Sequence, residues 1–194
     1  MNVLIIPEDF RKDQYFLKPI IKAMLDKLGK PTARVQVCVN PRLQGVSEAL
    51  KWDNIAAIID QYGMVDLFLL CIDRDGNGDR KAKLTNLEQR AAEVLGKGDR
   101  KFLAENAWQE IEVWVLAGHE LPKEWVWKEI RANANPKENY FYPYLEQRGF
   151  SKDDIGLKQA SQAAANRYGR IRQLCPEDIQ HLEDQISDWY TQKP

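Results

Sequence analysis

The chain has 194 residues, 44% hydrophobic and 29% charged, with 28 Lys plus Arg against 29 Asp plus Glu and a formal net charge of −1. That length favours one domain of roughly 100–200 residues with a sizeable core. The composition excludes a disordered tail, a collagen-like repeat and a strongly basic nucleic-acid-coating protein.

Val3 to Ile6 is a short β-branched run that reads as a buried strand, and the Gln14 to Leu28 stretch places Phe16, Leu17, Ile20, Ile21, Met24, Leu25 and Leu28 at helical spacing. Arg34 to Val39 alternates polar and apolar residues like a second strand, and Trp52 to Tyr62 carries Ile55, Ile58 and Ile59 on one helical face. Leu67 to Ile72 is apolar on both faces, as a central parallel strand is, and Leu84 to Leu95 is again an amphipathic helix, ended by Gly96. Lys101 to Ala104 reads as a fourth strand and Ala107 to Ala117 as a fourth helix. Beyond Leu121 the patterns are helical, notably Leu157 to Leu174 and Glu177 to Tyr190 around Cys175-Pro176. The expected fold is α/β: an open, mainly parallel four-stranded sheet with helices on both faces (residues 1–118), plus a helical extension (119–194) packed on it in the same domain.

Cys38, Cys71 and Cys175 form neither a disulfide framework nor, with His119 and His181, a zinc spacing. The opening MNVLIIPEDF has an apolar run too short for a signal-peptide core, and no stretch approaches a membrane-spanning length, so the expectation is a soluble cytoplasmic protein with no membrane partner.

In open α/β sheets ligands bind beyond the carboxyl ends of the strands, and acids stand there. The first strand runs into Glu8 and the third into Asp73-Arg74-Asp75-Gly76-Asn77-Gly78-Asp79. If strand geometry persists, Asp73 and Asp75 project to one side and can share a hard cation, with Glu8 completing the site. Three readings of this loop are open. It is a solvated turn of residues that tolerate turn conformations; it is a calcium loop, although Leu84 stands where an EF-hand needs a bidentate Glu and a strand precedes it instead of a helix; or it is a Mg²⁺ or Mn²⁺ site for phosphoryl transfer, the reading favoured here.

Glu8 with Asp73-Arg74-Asp75 resembles the toprim domain of topoisomerases, primases and OLD-type nucleases, which carries a Glu after its first strand and Asp-x-Asp after a later one. Small toprim-like bacterial proteins of the RloB type are similar over more of the chain, through Glu112-Val113-Trp114-Val115-Leu116-Ala117, Asn135-Pro136-Lys137 and Cys175-Pro176. One departure stands out: the family follows its Glu with Gly, whereas Asp9 follows Glu8 here.

The resemblance implies a metal-dependent hydrolase or transferase acting on a nucleic-acid phosphodiester, DNA or RNA, in a setting such as bacterial defence or DNA repair. Asp73, Asp75 and Glu112 would be metal ligands for Mg²⁺ or Mn²⁺, and Glu8 a further ligand or the general acid/base. Glu105 and Glu110 are read as acids following the fourth strand, with a solvated helix face the plainer role. Arg80, Lys81, Lys83 and Lys137 are candidate phosphate contacts; Lys97, Arg100 and Lys101, and Arg167, Arg170 and Arg172, are further cationic groups, each most simply a solvated face. Trp108, Trp114, Trp125, Trp127 and the Tyr140 to Tyr144 stretch read mainly as packing residues. The rival reading is a non-catalytic interaction module that binds a protein or nucleotide partner, its acids forming a turn or a structural ion site; a small-molecule phosphatase-like enzyme is the third.

Overall fold

Successive side chains of a strand point to opposite faces of its sheet, and four strands use that rule to divide the core in two. In a computed structural model describing residues 1–96 and 98–192, β1 (Asn2–Pro7), β2 (Arg34–Val37), β3 (Leu67–Asp73) and β4 (Lys101–Ala107) form one all-parallel sheet in the order β2-β1-β3-β4. On one face Val3, Ile5, Leu67, Leu69, Cys71 and Leu103 meet α1 (Phe10–Lys27), whose Phe16, Leu17, Ile20, Ile21, Met24 and Leu25 are buried. On the other, Leu4, Ile6, Phe68, Leu70, Ile72 and Phe102 pack with the short α2 (Val46–Ala49), α3 (Trp52–Gln61) and α4 (Arg80–Leu95).

The remaining helices join the α1 face: α5 (Glu112–Ala117), α6 (Trp127–Ala132), α7 (Tyr142–Gln147), α8 (Asp154–Ala165), α9 (Tyr168–Leu174) and α10 (His181–Thr191), with π-helical turns at Lys137–Phe141 and Pro176–Gln180. The chain is thus α/β with helices on both faces of a parallel sheet and further helices after it, as expected. Gly118 ends α5 where a Cβ would lie 2.6 Å from Ala164 backbone, so its missing side chain lets α5 rest directly on α8. Among the described residues no helix is long and apolar enough to cross a membrane.

Several boundaries differ from expectation. β4 continues through Ala107, and α5 begins only at Glu112, because Gln109 (φ 78°) turns the chain and its carbonyl accepts from the N–H groups of Arg74 and Asp75 at 2.8 and 3.2 Å. Glu105 therefore lies within β4 and does not follow it; its Oε2 is 2.6 Å from His181 Nδ1 on α10. α4 starts at Arg80, a turn before its first apolar residue Leu84. The pattern from Leu157 to Leu174 is two helices, broken at Asn166 and Arg167.

The connections place the site. From β1 the chain moves outward to β2 and then returns past β1 to β3, so strand order reverses between β1 and β3. At such a reversal the loops diverge to opposite faces and leave a crevice at the carboxyl ends of the strands.

Candidate functional site

Glu8 and Asp73 end the two strands that flank this crevice. The Glu8 carboxylate accepts from the Asp73 N–H at 3.2 Å, and the Asp73 carboxylate accepts from the Ile111 N–H at 2.8 Å, which fixes it against the start of α5. Asp9 occupies extended backbone (φ −119°) as the N-cap of α1, its carboxylate accepting from the Arg11 N–H at 2.8 Å. The Gly of the toprim pattern is therefore not required for backbone conformation at this position, and an Asp here begins the helix.

Asp13 is the member that sequence reading missed. Its carboxylate accepts from the Asp9 N–H at 2.8 Å, a reciprocal exchange of the capping-box kind. That bond folds Asp13 back over the first turn of α1 toward Glu8 and Glu112, whose negative charges both act on it. The signal was present in Glu8-Asp9-Phe10-Arg11-Lys12-Asp13: an N-cap residue and an acid four positions later, ahead of the apolar periodicity that begins at Phe16.

Glu8, Asp13, Asp73 and Glu112 thus form one carboxylate cluster, and its electrostatics show the crowding. Burial raises the Asp73 carboxyl well above the ordinary range, and repulsion from Glu112, Asp13 and Glu8 adds to it. Asp13 is pushed up to about 7, first by burial and then by Glu112, Glu8 and Asp9, against its bond from the Asp9 N–H. Glu8 is raised by burial and by Asp75, with the Asp73 N–H and Arg80 opposing.

Cations balance only part of this charge. Lys137 Nζ lies 2.7 Å from the Glu112 carboxylate, which is only 3% exposed, and that partner outweighs burial to raise the Lys137 ammonium. The Lys137 N–H donates to Glu110 at 2.8 Å. Lys137, read as a phosphate contact, is committed to Glu112 here.

The continued strand geometry expected to put Asp73 and Asp75 on one side ends at Asp73. Asp75 adopts φ 50°, and its carboxylate, half exposed, faces the Arg80 guanidinium at 3.6 Å. Arg80 is turned inward and only 5% exposed, with its Nε lacking a hydrogen-bond partner among the described residues, whereas Lys81 and Lys83 face solvent on α4. Arg74, between the two acids, lies over the Trp108 ring at 4.2 Å, and Arg131 lies 5.4 Å from the same ring.

Of the other expected cationic residues, the four arginines are engaged in structure. Arg100 caps the α3 end through the Ile59 and Tyr62 carbonyls and bonds Val65; Arg167 pairs with Glu120, Arg170 bonds Ala117, and Arg172 pairs with Glu183 and Asp184. Lys97 lies outside the described residues. A residue with no prior reading, Asp178 (1% exposed), receives the Trp108 N–H, the Trp114 indole N–H and Arg131 on one oxygen, at 3.0, 2.7 and 3.0 Å. It ties the C-terminal helices to the turn that holds Asp73.

Among the described residues no three Asp, Glu, His or Cys side chains stand as a ready set for a metal ion. The donor chemistry nevertheless fits a hard divalent cation: every donor is a carboxylate oxygen, and two of them, Asp73 and Asp13, are raised by burial first and then by neighbours of the same charge. A cation would relieve that repulsion as the acids lose their protons. No family model, curated protein or solved structure matches this chain.

Proposed function

We propose that the protein is a divalent-metal-dependent phosphodiesterase acting on nucleic acid, with its centre in the crevice between β1 and β3. The observation that carries this reading is the meeting of Glu8, Asp13, Asp73 and Glu112 at the point where strand order reverses.

Asp73 and Asp13, with Glu112 beside them, would hold Mg²⁺ or Mn²⁺. When bound, the ion would supply Lewis-acid polarisation of a phosphoryl oxygen. Glu8 is suited to general acid/base work, because burial raises its carboxyl above the ordinary value while the Asp73 N–H keeps it oriented. Arg80 offers a buried Nε without a partner among the described residues, a donor suited to a phosphate oxygen beside the acids. Asp75 serves in this account by holding Arg80, and Lys81 and Lys83 offer exposed positive charge on the first turn of α4.

The test is cleavage of single- and double-stranded DNA and RNA with Mg²⁺ or Mn²⁺, comparing the native chain with Asp73→Asn. Metal-dependent turnover lost in the variant is expected, and equal turnover in both proteins refutes the reading. A second reading, the non-catalytic interaction module, is favoured by one observation: the acids do not stand as a ready metal set. It predicts no divalent-ion binding and no turnover.

A further inference from the structure

A groove lies away from the crevice, in the angle between α1, the start of β2 and the α8–α9 pair, and encloses about 850 Å³. Its floor is apolar, formed by Ala23, Ala33, Val35 and Ala165, with the Tyr15 and Tyr168 side chains along its walls. Its rim carries Lys18, Lys22, Lys27 and Lys158 against one acid, Asp26. Lys22 is bound to Asp26 at 2.8 Å and to the Pro31 carbonyl, but Lys18, Lys27 and Lys158 have no hydrogen-bond or ion-pair partner among the described residues. A chain with a net charge of −1 thus concentrates an excess of positive charge on one groove.

The groove begins at Gln14, one residue after Asp13 of the carboxylate cluster, and follows α1 away from it. From Gln14 to Lys27 the helix runs about 20 Å at roughly 1.5 Å per residue. The contents suit one strand of nucleic acid: lysines spaced along the rim for phosphates, and the half-buried Tyr15, its hydroxyl donating to Asp154 at 2.8 Å, beside the apolar floor for bases.

We propose that this groove binds a single-stranded polynucleotide and leads it to the carboxylate cluster. The inference rests on the phosphodiesterase reading for its direction, and its test is a binding measurement that needs neither metal nor turnover.

The probe is fluorescein-labelled dT12, followed by anisotropy in EDTA across a salt series, with the native chain and a Lys18→Gln/Lys27→Gln/Lys158→Gln variant. These lysines are exposed, so the variant should match the native chain in thermal unfolding. Binding to the native chain should weaken with salt. The triple variant should reduce the log–log slope by about 2, at about 0.7 for each lost phosphate contact on a single strand, and weaken binding at least tenfold at low salt.

Unchanged affinity and slope overturn the proposal. So does a duplex of the same sequence length bound as tightly as dT12, or displacement of dT12 by polyglutamate as readily as by unlabelled dT12. The two claims fail separately: strand binding lost in the variant, with no cleavage by the native chain, keeps the groove and removes the phosphodiesterase, and cleavage with unaltered strand binding does the reverse.

Discussion

Asp13→Asn should stabilise the protein at pH 8 and leave its stability unchanged near pH 4. The Asp13 carboxyl rises from an ordinary 3.8 in the unfolded chain to about 7 in the fold, first through burial and then through the charges of Glu112, Glu8 and Asp9. Between those two values the folded state holds a proton that the unfolded state has released, so stability is intact below the lower value and is lost as pH climbs through the upper one. At about 1.36 kcal/mol for each pH unit of that rise, the loss has a ceiling of roughly 4 kcal/mol. Asparagine keeps an oxygen to accept from the Asp9 N–H, as the carboxylate does at 2.8 Å, while shedding the charge. Urea unfolding at several pH values would show the two proteins converging in acid and separating toward pH 8, with the variant the more stable. A constant gap across that range, or a variant less stable at pH 8, would refute the crowding that defines the cluster.

Other perturbations test the frame around it. Asp178→Ala leaves buried Arg131 and the Trp114 indole without their shared acceptor and should cost about 3–5 kcal/mol in denaturant midpoint analysis. Lys137→Ala strips the buried Glu112 of its cation and should cost a similar 3–5 kcal/mol at pH 8, most of it restored by adding Glu112→Gln; an unaffected single variant would contradict the pairing. His181 should titrate above 6.5 because Glu105 stabilises its charged form, so this contact supports the fold below that value and fades as pH rises through the elevated one; NMR titration should show the rise vanish in Glu105→Gln. Gly118→Ala should lower stability by about 1–3 kcal/mol by forcing α5 off Ala164, as thermal unfolding would record.

Much of the architecture is legible in residue pattern because burial sets it. Leu67 to Ile72 is apolar on both sides and proves to be a strand buried between two helical layers, and the isoleucines at 55, 58 and 59 mark the inner face of α3. Pattern fails where polar contacts decide. The turn at Gln109 depends on two N–H groups from the loop after β3, contacts made across 34 to 35 positions in sequence, so hydrophobic spacing extended a helix back into β4. Glu8 and Asp73 could be located because strands end where acids begin, and parallel pairing brings those ends together. Asp13 could not, since its place depends on a bond from the Asp9 N–H. Arg80 reads as one of a basic run of candidate phosphate contacts and proves buried, because a charge pattern does not reveal which helix face meets the acids.

The central claim is that the carboxylates of the β1–β3 crevice take up one divalent cation, and titration calorimetry with Mn²⁺ tests it most directly. The native chain should bind a single ion at pH 8 and bind more weakly at pH 6, where Asp13 still holds its proton and must release it on binding, while Asp73→Asn should not bind. No heat of binding in the native chain, or the same isotherm in both proteins, would contradict it.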